Sequence, residues 1–195
     1  MSSKTLKLYH TSSAVIESPD VNYGRRNADF GGGFYTSDSA EFSRKWASER
    51  KAVVNRYTLD LTGLNVRRFE RDSEWFDYIF KNRAGYADAF ADADVIIGPI
   101  ANDTIYDTFG IITSGLLGGA DALRLLEVGK EYTQINIKSE KAAAQLKWEG
   151  GQTLGAEEIA ASRSEVRAEE AEFREAFLNA LKGLDCYAEI MDIIS

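Results

Sequence analysis

Apolar and polar side chains alternate in short runs through the first three quarters of the chain, and a helical pattern replaces them afterwards. Leu6-Lys7-Leu8-Tyr9 alternates as a half-buried strand does and stops at His10-Thr11-Ser12-Ser13. Phe34-Tyr35-Thr36-Ser37, Val53 to Leu61, Leu64 to Phe69, Asp94 to Ile100 and Tyr132 to Ile137 are further strand candidates. Helices are expected from Ala40 to Lys51, from Asp72-Ser73-Glu74 onward, from Asn102 or Asp103 through Phe109, from Ala120 to Val128 and from Glu140 to Lys147. Two sheet strands joined by a turn are expected on either side of Gly63. The stretch Glu149-Gly150-Gly151-Gln152-Thr153 reads as a hinge or linker. Beyond it, Val166, Phe173, Phe177, Leu181, Leu184 and Met191 form one apolar stripe at helical spacing. The fold class is therefore α+β: a mixed domain over 1–148 and an acidic, amphipathic helical appendage over 149–195.

Charge follows the same division. The formal net charge is −8. Residues 149–195 carry four basic and eleven acidic side chains, a net of −7, which leaves the main domain at −1. The low isoelectric point thus argues only weakly against a nucleic-acid partner, because the repelling charge is expected in a tail away from any site. A hydrophobic content of 44% supports a packed core without staples. One cysteine, Cys186, allows no internal disulfide, and one histidine allows no two-histidine metal site, so no metal is expected. A reduced, cytoplasmic setting without a membrane segment is expected.

Taken alone, the residues with chemical potential have ordinary explanations. A lone histidine at a strand end is usually structural or solvated. Gly31-Gly32-Gly33 lacks the following lysine of a phosphate loop, so a plain turn explains it, although glycine also permits close backbone approach beside an aromatic ring. Gln134 belongs to the polar face of its strand, with Tyr132 and Asn136. Asp94 and Asp103 could be read as paired carboxylates of a hydrolase, but nothing in the pattern makes them face one cleft.

Together, the stretches 8–12, 23–37 and 133–137, with Lys45-Trp46-Ala47 and the run 94–103, are ordered and separated as in a known group. The chain resembles the ADP-ribosyltransferase superfamily in its His-Tyr-Glu branch, and more narrowly a bacterial toxin-like family within it, over about residues 5–147. The resemblance implies two packed sheets around an NAD cleft, flanking helices and a C-terminal helical tail. It implies that His10 and Thr11 hold the nicotinamide ribose and carboxamide, and that Tyr35 stacks on nicotinamide. The loop from Asn22 to Gly32 would cover the cofactor. Arg25, Asn27, Gly33, Phe34 and Thr36 count among the cofactor contacts. The third motif departs from the branch, because Gln134 stands where many relatives carry glutamate. Glutamine can bond a ribose hydroxyl but brings no negative charge to an oxocarbenium-like transition state.

The implied activity is mono-ADP-ribosylation, a glycosyltransferase reaction with NAD as substrate and a protein or nucleic acid as acceptor. Its implied setting is the toxin of a bacterial toxin–antitoxin or defence system. The alternatives are a non-catalytic NAD- or ADP-ribose-binding module and an NAD glycohydrolase. The stripe over 157–192 would face an antitoxin or a second copy, or pack back on the domain.

Overall fold

The computed structural model describes residues 4–47, 51–101, 111 and 115–194. Seven strands form its centre: β1 Thr5–Ser12, β2 Phe34–Ser37, β3 Val53–Asp60, β4 Val66–Arg68, β5 Val95–Pro99, β6 Thr133–Ile137 and β7 Leu146–Thr153. Their order across the sheet is β4-β5-β6-β2-β1-β3-β7. All neighbours are antiparallel except the parallel pair β4 and β5. Among the described residues, six helices surround them: α1 Ala40–Arg44, α2 Ser73–Arg83, α3 Gly119–Leu126, α4 Glu140–Ala144, α5 Ala156–Leu181 and α6 Tyr187–Ile194. The α+β class expected from the alternation is present.

The expected pair of packed sheets is replaced by one hydrogen-bonded sheet. β2 pairs with β6 from Phe34 opposite Ile137 to Ser37 opposite Gln134, whereas its pairing with β1 is the single register pair Tyr9 with Ser37. The halves β4-β5-β6-β2 and β1-β3-β7 are thus each continuous and meet at one narrow seam. β3 and β4 do not form a hairpin across the turn at Gly63. The chain carries β4 to the far edge, where Leu61, Leu64 and Val66 pack against the core cluster that includes Leu8, Phe34, Tyr57 and Ile97.

Strand alternation divides the core between two faces. Val95 and Ile97 join the cluster that includes Leu59, Ile135 and Ile137. Ile96 points the other way, to Phe30, Trp75, Tyr78 and Ile79. That second face is held by α2, whose N-cap Asp72 accepts the Trp75 amide at 2.9 Å.

Residues 149–153, expected as a linker, are the second half of β7. The strand runs along β3 from Leu59 opposite Leu146 to Val53 opposite Thr153, with a bulge beside Arg56 and Tyr57. Gly150, at φ 130°, supplies the backbone conformation there, so the glycine pair marks a bulged edge strand. The preceding helix correspondingly ends at Ala144. The helix expected from 40 to 51 is assigned over Ala40–Arg44, and residues 48–50 lie outside the described residues. The helix expected from Asn102 or Asp103 also lies outside them, and with it the Asp103 half of the carboxylate pair.

The C-terminal stripe is divided between two helices and is used within the chain. Phe173, Phe177 and Leu181 of α5 pack with Leu125 of α3, Ile111 and Ile190 of α6. Near its start α5 contributes Ile159 to a cluster with Ala52, Val54 and Leu154. Among the described residues, no helix is long and apolar enough to cross a membrane.

Asp94 is a brace of the fold. Its Oδ2 accepts from the Asn65 amide at 2.8 Å and from Lys141 at 3.1 Å, and its Oδ1 accepts from the Ser139 hydroxyl at 2.6 Å. Burial acts to raise this carboxyl, but the bonds from Ser139, Asn65 and Lys141 hold it below its ordinary value. Its contribution is therefore present above the unfolded value and lost as pH falls through the depressed folded one. Asp94→Asn should lose about 1–3 kcal/mol at neutral pH. In urea melts the deficit should shrink toward zero as pH falls below about 4.

Candidate functional site

Beyond the single register pair, His10 takes over the connection between the two halves of the sheet. Its Nδ1–H donates to the Tyr35 carbonyl at 2.7 Å. A ring that donates from Nδ1 keeps, when neutral, a lone pair on Nε2. Burial lowers the His10 pKa, and the hydrogen bond to Tyr35 offsets this in part. The ring rests between Phe34, at 4.6 Å between centroids, and Trp46, at 5.9 Å. The site thus holds a neutral imidazole that can accept a proton or a hydroxyl hydrogen bond.

A cavity of about 1450 Å³ opens at this place. His10, Thr11, Tyr35 and Gln134 all line it, although they come from β1, β2 and β6. Arg25 and Asn27 line it from the loop. Gly33, Phe34 and Thr36, expected among the cofactor contacts, take structural places instead. Phe34 is buried in the core. The Thr36 hydroxyl donates to the Ile135 carbonyl at 2.9 Å. Gly33, at φ 144°, lies so close to β6 that an added Cβ would meet the Ile137 carbonyl oxygen at 2.7 Å. Its missing side chain makes room for β6.

Tyr35 anchors the loop before it. Its hydroxyl donates to the Gly31 carbonyl and accepts from the Phe30 amide, both at 2.8 Å. Burial first, then the Asp29 carboxylate, pushes this hydroxyl well above its ordinary pKa, so it remains a donor. Asn136 finishes the attachment by donating to the carbonyls of Phe30 at 3.1 Å and Gly32 at 3.0 Å. The end of the covering loop is consequently pinned to β2 and β6. Thr11, expected at the carboxamide, spends its hydroxyl on Ser43 of α1 at 2.9 Å while still lining the cavity.

Several lining residues escaped the sequence reading. Asp29, which reads as turn chemistry in the loop, presents Oδ2 to the Gln134 amide nitrogen at 2.9 Å. Arg83, from the last turn of α2, holds Asp29 Oδ1 through Nε at 2.7 Å. No local pattern signals a contact between residues 105 positions apart.

The acidic tail was expected to lie away from the site, but α5 forms one wall of the cavity with Glu165, Glu169, Glu170, Glu172 and Phe173. Lys45 and Tyr132 fasten it. Tyr132 donates to Glu169 at 2.8 Å, and Lys45 forms a close ion pair with the same carboxylate. Burial would raise the Glu169 carboxyl, but Lys45 and Tyr132 hold it below its ordinary value. Packing of the apolar stripe against α3 and α6 brings this acidic side of α5 to the cavity. Asp94 is not among the cavity-lining residues, and its oxygens serve β4 and α4 as described above.

The chain belongs to the family described as "Protein of unknown function (DUF3990)", whose model matches residues 6–148. No curated protein and no solved structure matches it.

His10 is the chain's only histidine, so its titration can be followed without assignment. Its nuclear magnetic resonance midpoint should fall below 6.5. The folded state then binds fewer protons than the unfolded chain below that pH, so its contribution to stability is lost as pH falls from 6.5 toward the folded midpoint. A midpoint at or above 6.5 would contradict the buried, neutral imidazole.

Proposed function

For this member of the family, we propose that the cavity binds NAD and that the chain transfers ADP-ribose from it to a macromolecular acceptor, as a mono-ADP-ribosyltransferase. The observation that carries the reading is the convergence of His10, Tyr35 and Gln134, from three strands, on one cavity. The resemblance to ADP-ribosyltransferases names the same three residues. Small-molecule sites commonly enclose about 300–1,000 Å³, so the cavity has room for a dinucleotide.

In this reading the imidazole Nε2 of His10 accepts a hydrogen bond from the nicotinamide ribose, and Tyr35 offers its ring to nicotinamide. Gln134 bonds the ribose 2'-hydroxyl, and Arg25 faces the pyrophosphate. The bond between ribose C1' and the nicotinamide nitrogen breaks, and its electron pair leaves with neutral nicotinamide. An acceptor nucleophile then bonds C1' and releases a proton. Positioning supplies much of the acceleration, because the leaving group departs uncharged. Protein and nucleic acid are both candidate acceptors.

A cytoplasmic toxin of a bacterial toxin–antitoxin or defence system is the setting that the resemblance supports. An antitoxin or second copy engaging residues 157–192 meets the polar side of α5, since its apolar stripe is already packed. The neutral amide of Gln134 also favours a second reading, a module that binds NAD or ADP-ribose without cleaving it. An NAD glycohydrolase would use water as acceptor in the same cavity.

Adenine-labelled NAD in cell extract separates these readings. The full chain should pass label to a macromolecule and release nicotinamide. Tyr35→Ala and Gln134→Ala should each reduce both signals on the order of 10²-fold. Nicotinamide release without labelled acceptor identifies a glycohydrolase, and tight NAD binding without release identifies the binding module.

A further inference from the structure

A carboxylate from the loop stands beside the strand position where the branch's own carboxylate is missing. We propose that Asp29 supplies the negative charge that faces the nicotinamide ribose in this chain, while Gln134 supplies the hydrogen bonding. The assignment rests on the NAD-cleaving reading given above.

The contact explains the amide at position 134. Carboxylate oxygens only accept hydrogen bonds, so Asp29 Oδ2 at 2.9 Å requires the Gln134 side chain to turn its NH₂ group toward it. The Pro99 carbonyl, at 3.5 Å from the same nitrogen, favours the same orientation. The amide oxygen is thereby directed elsewhere and is available to a ribose hydroxyl. A glutamate at 134 would set two carboxylates against each other, which disfavours ionisation of both. Glutamine and Asp29 together provide one anion and one hydrogen-bonding group where a single glutamate would combine them.

Asp29 is also held as a working side chain needs to be. Its backbone carbonyl accepts from Asn82 Nδ2 at 2.9 Å, and Arg83 of the same helix grips Oδ1. The next residue is fixed through Phe30 N–H to the Tyr35 hydroxyl. α2 and β2 therefore position the carboxylate, although it belongs to a loop. Arg83 engages Oδ1 and leaves Oδ2 toward Gln134 within the same cavity lining. As the glycosidic bond of NAD breaks, positive charge passes from the pyridinium ring to the ribose C1' and ring oxygen. A fixed carboxylate there favours this charge without reorganising during the reaction.

NAD and NADH differ in the charge of the nicotinamide ring, so their relative affinity reads the proposed charge even without turnover. Calorimetric titrations of both would be made with the full chain, Asp29→Asn, and the double variant Asp29→Asn with Gln134→Glu, alongside nicotinamide release. The native chain should prefer NAD by about tenfold. Asp29→Asn should melt at a lower temperature, because Arg83 loses its ion-pair partner, and below that temperature should lose the preference and slow release on the order of 10²-fold. The double variant, with the charge moved to position 134, should recover both. Unchanged preference and release in Asp29→Asn would overturn the assignment. Should that variant not fold, the native chain decides: equal affinity for NAD and NADH overturns the assignment, and a preference for NAD that fades with added salt supports it. A native chain that prefers NAD through Asp29 but releases no nicotinamide refutes the transferase reading and leaves the charge assignment standing. Failure to bind either dinucleotide refutes both.

Discussion

The single register pair between Tyr9 and Ser37 is the constraint from which the site follows. A sheet with a full ladder between β1 and β2 would leave no gap, because successive backbone groups would satisfy one another. Here β2 gives its pairing to β6 and pairs in register with β1 at one position only. The Tyr35 carbonyl is consequently available to a side chain, and His10 takes it. One imidazole thereby closes the seam, fixes its own tautomer and enters the cavity lining.

The loop before β2 is the second necessary part. Three consecutive glycines let it lie against β6, most tightly at Gly33. The Tyr35 hydroxyl and the Asn136 amide then satisfy backbone groups that a free loop would leave to water. Asp29 owes its place to this folding. Arg83 and Gln134 share its carboxylate, so α2, the loop and β6 are joined at the edge of the cavity.

Local pattern made part of this legible. Two-residue periodicity places Gln134 and Asn136 opposite Ile135 and Ile137, as observed, whereas the strand expected to stop at His10 runs on to Ser12, so His10 lies inside β1, opposite Asn55. The same periodicity could have separated Phe34 and Thr36 from Tyr35, whose neighbours along a strand face away from it. Gly150 and Gly151 concealed β7, because a bulged strand and a linker use the same residue. The one-sheet arrangement was hidden for a different reason: a single register pair leaves no signature in composition or spacing. Contacts between Asp29 and Gln134, or between Tyr132 and Glu169, depend on tertiary placement that no window of sequence contains.

The two sides of the cavity differ in sign. α5 contributes Glu165, Glu169, Glu170 and Glu172, whereas the body of the domain contributes Arg25, Lys45, Arg83 and Lys130 with a single acid, Asp29. Glu169 pairs with Lys45 and Lys130, but the other three glutamates contribute negative charge along one wall. A cavity so divided acts on an approaching molecule as a compass before any contact forms. A ligand with a cationic and an anionic end is turned to enter one way round, and added salt blurs that choice before it weakens the contacts inside.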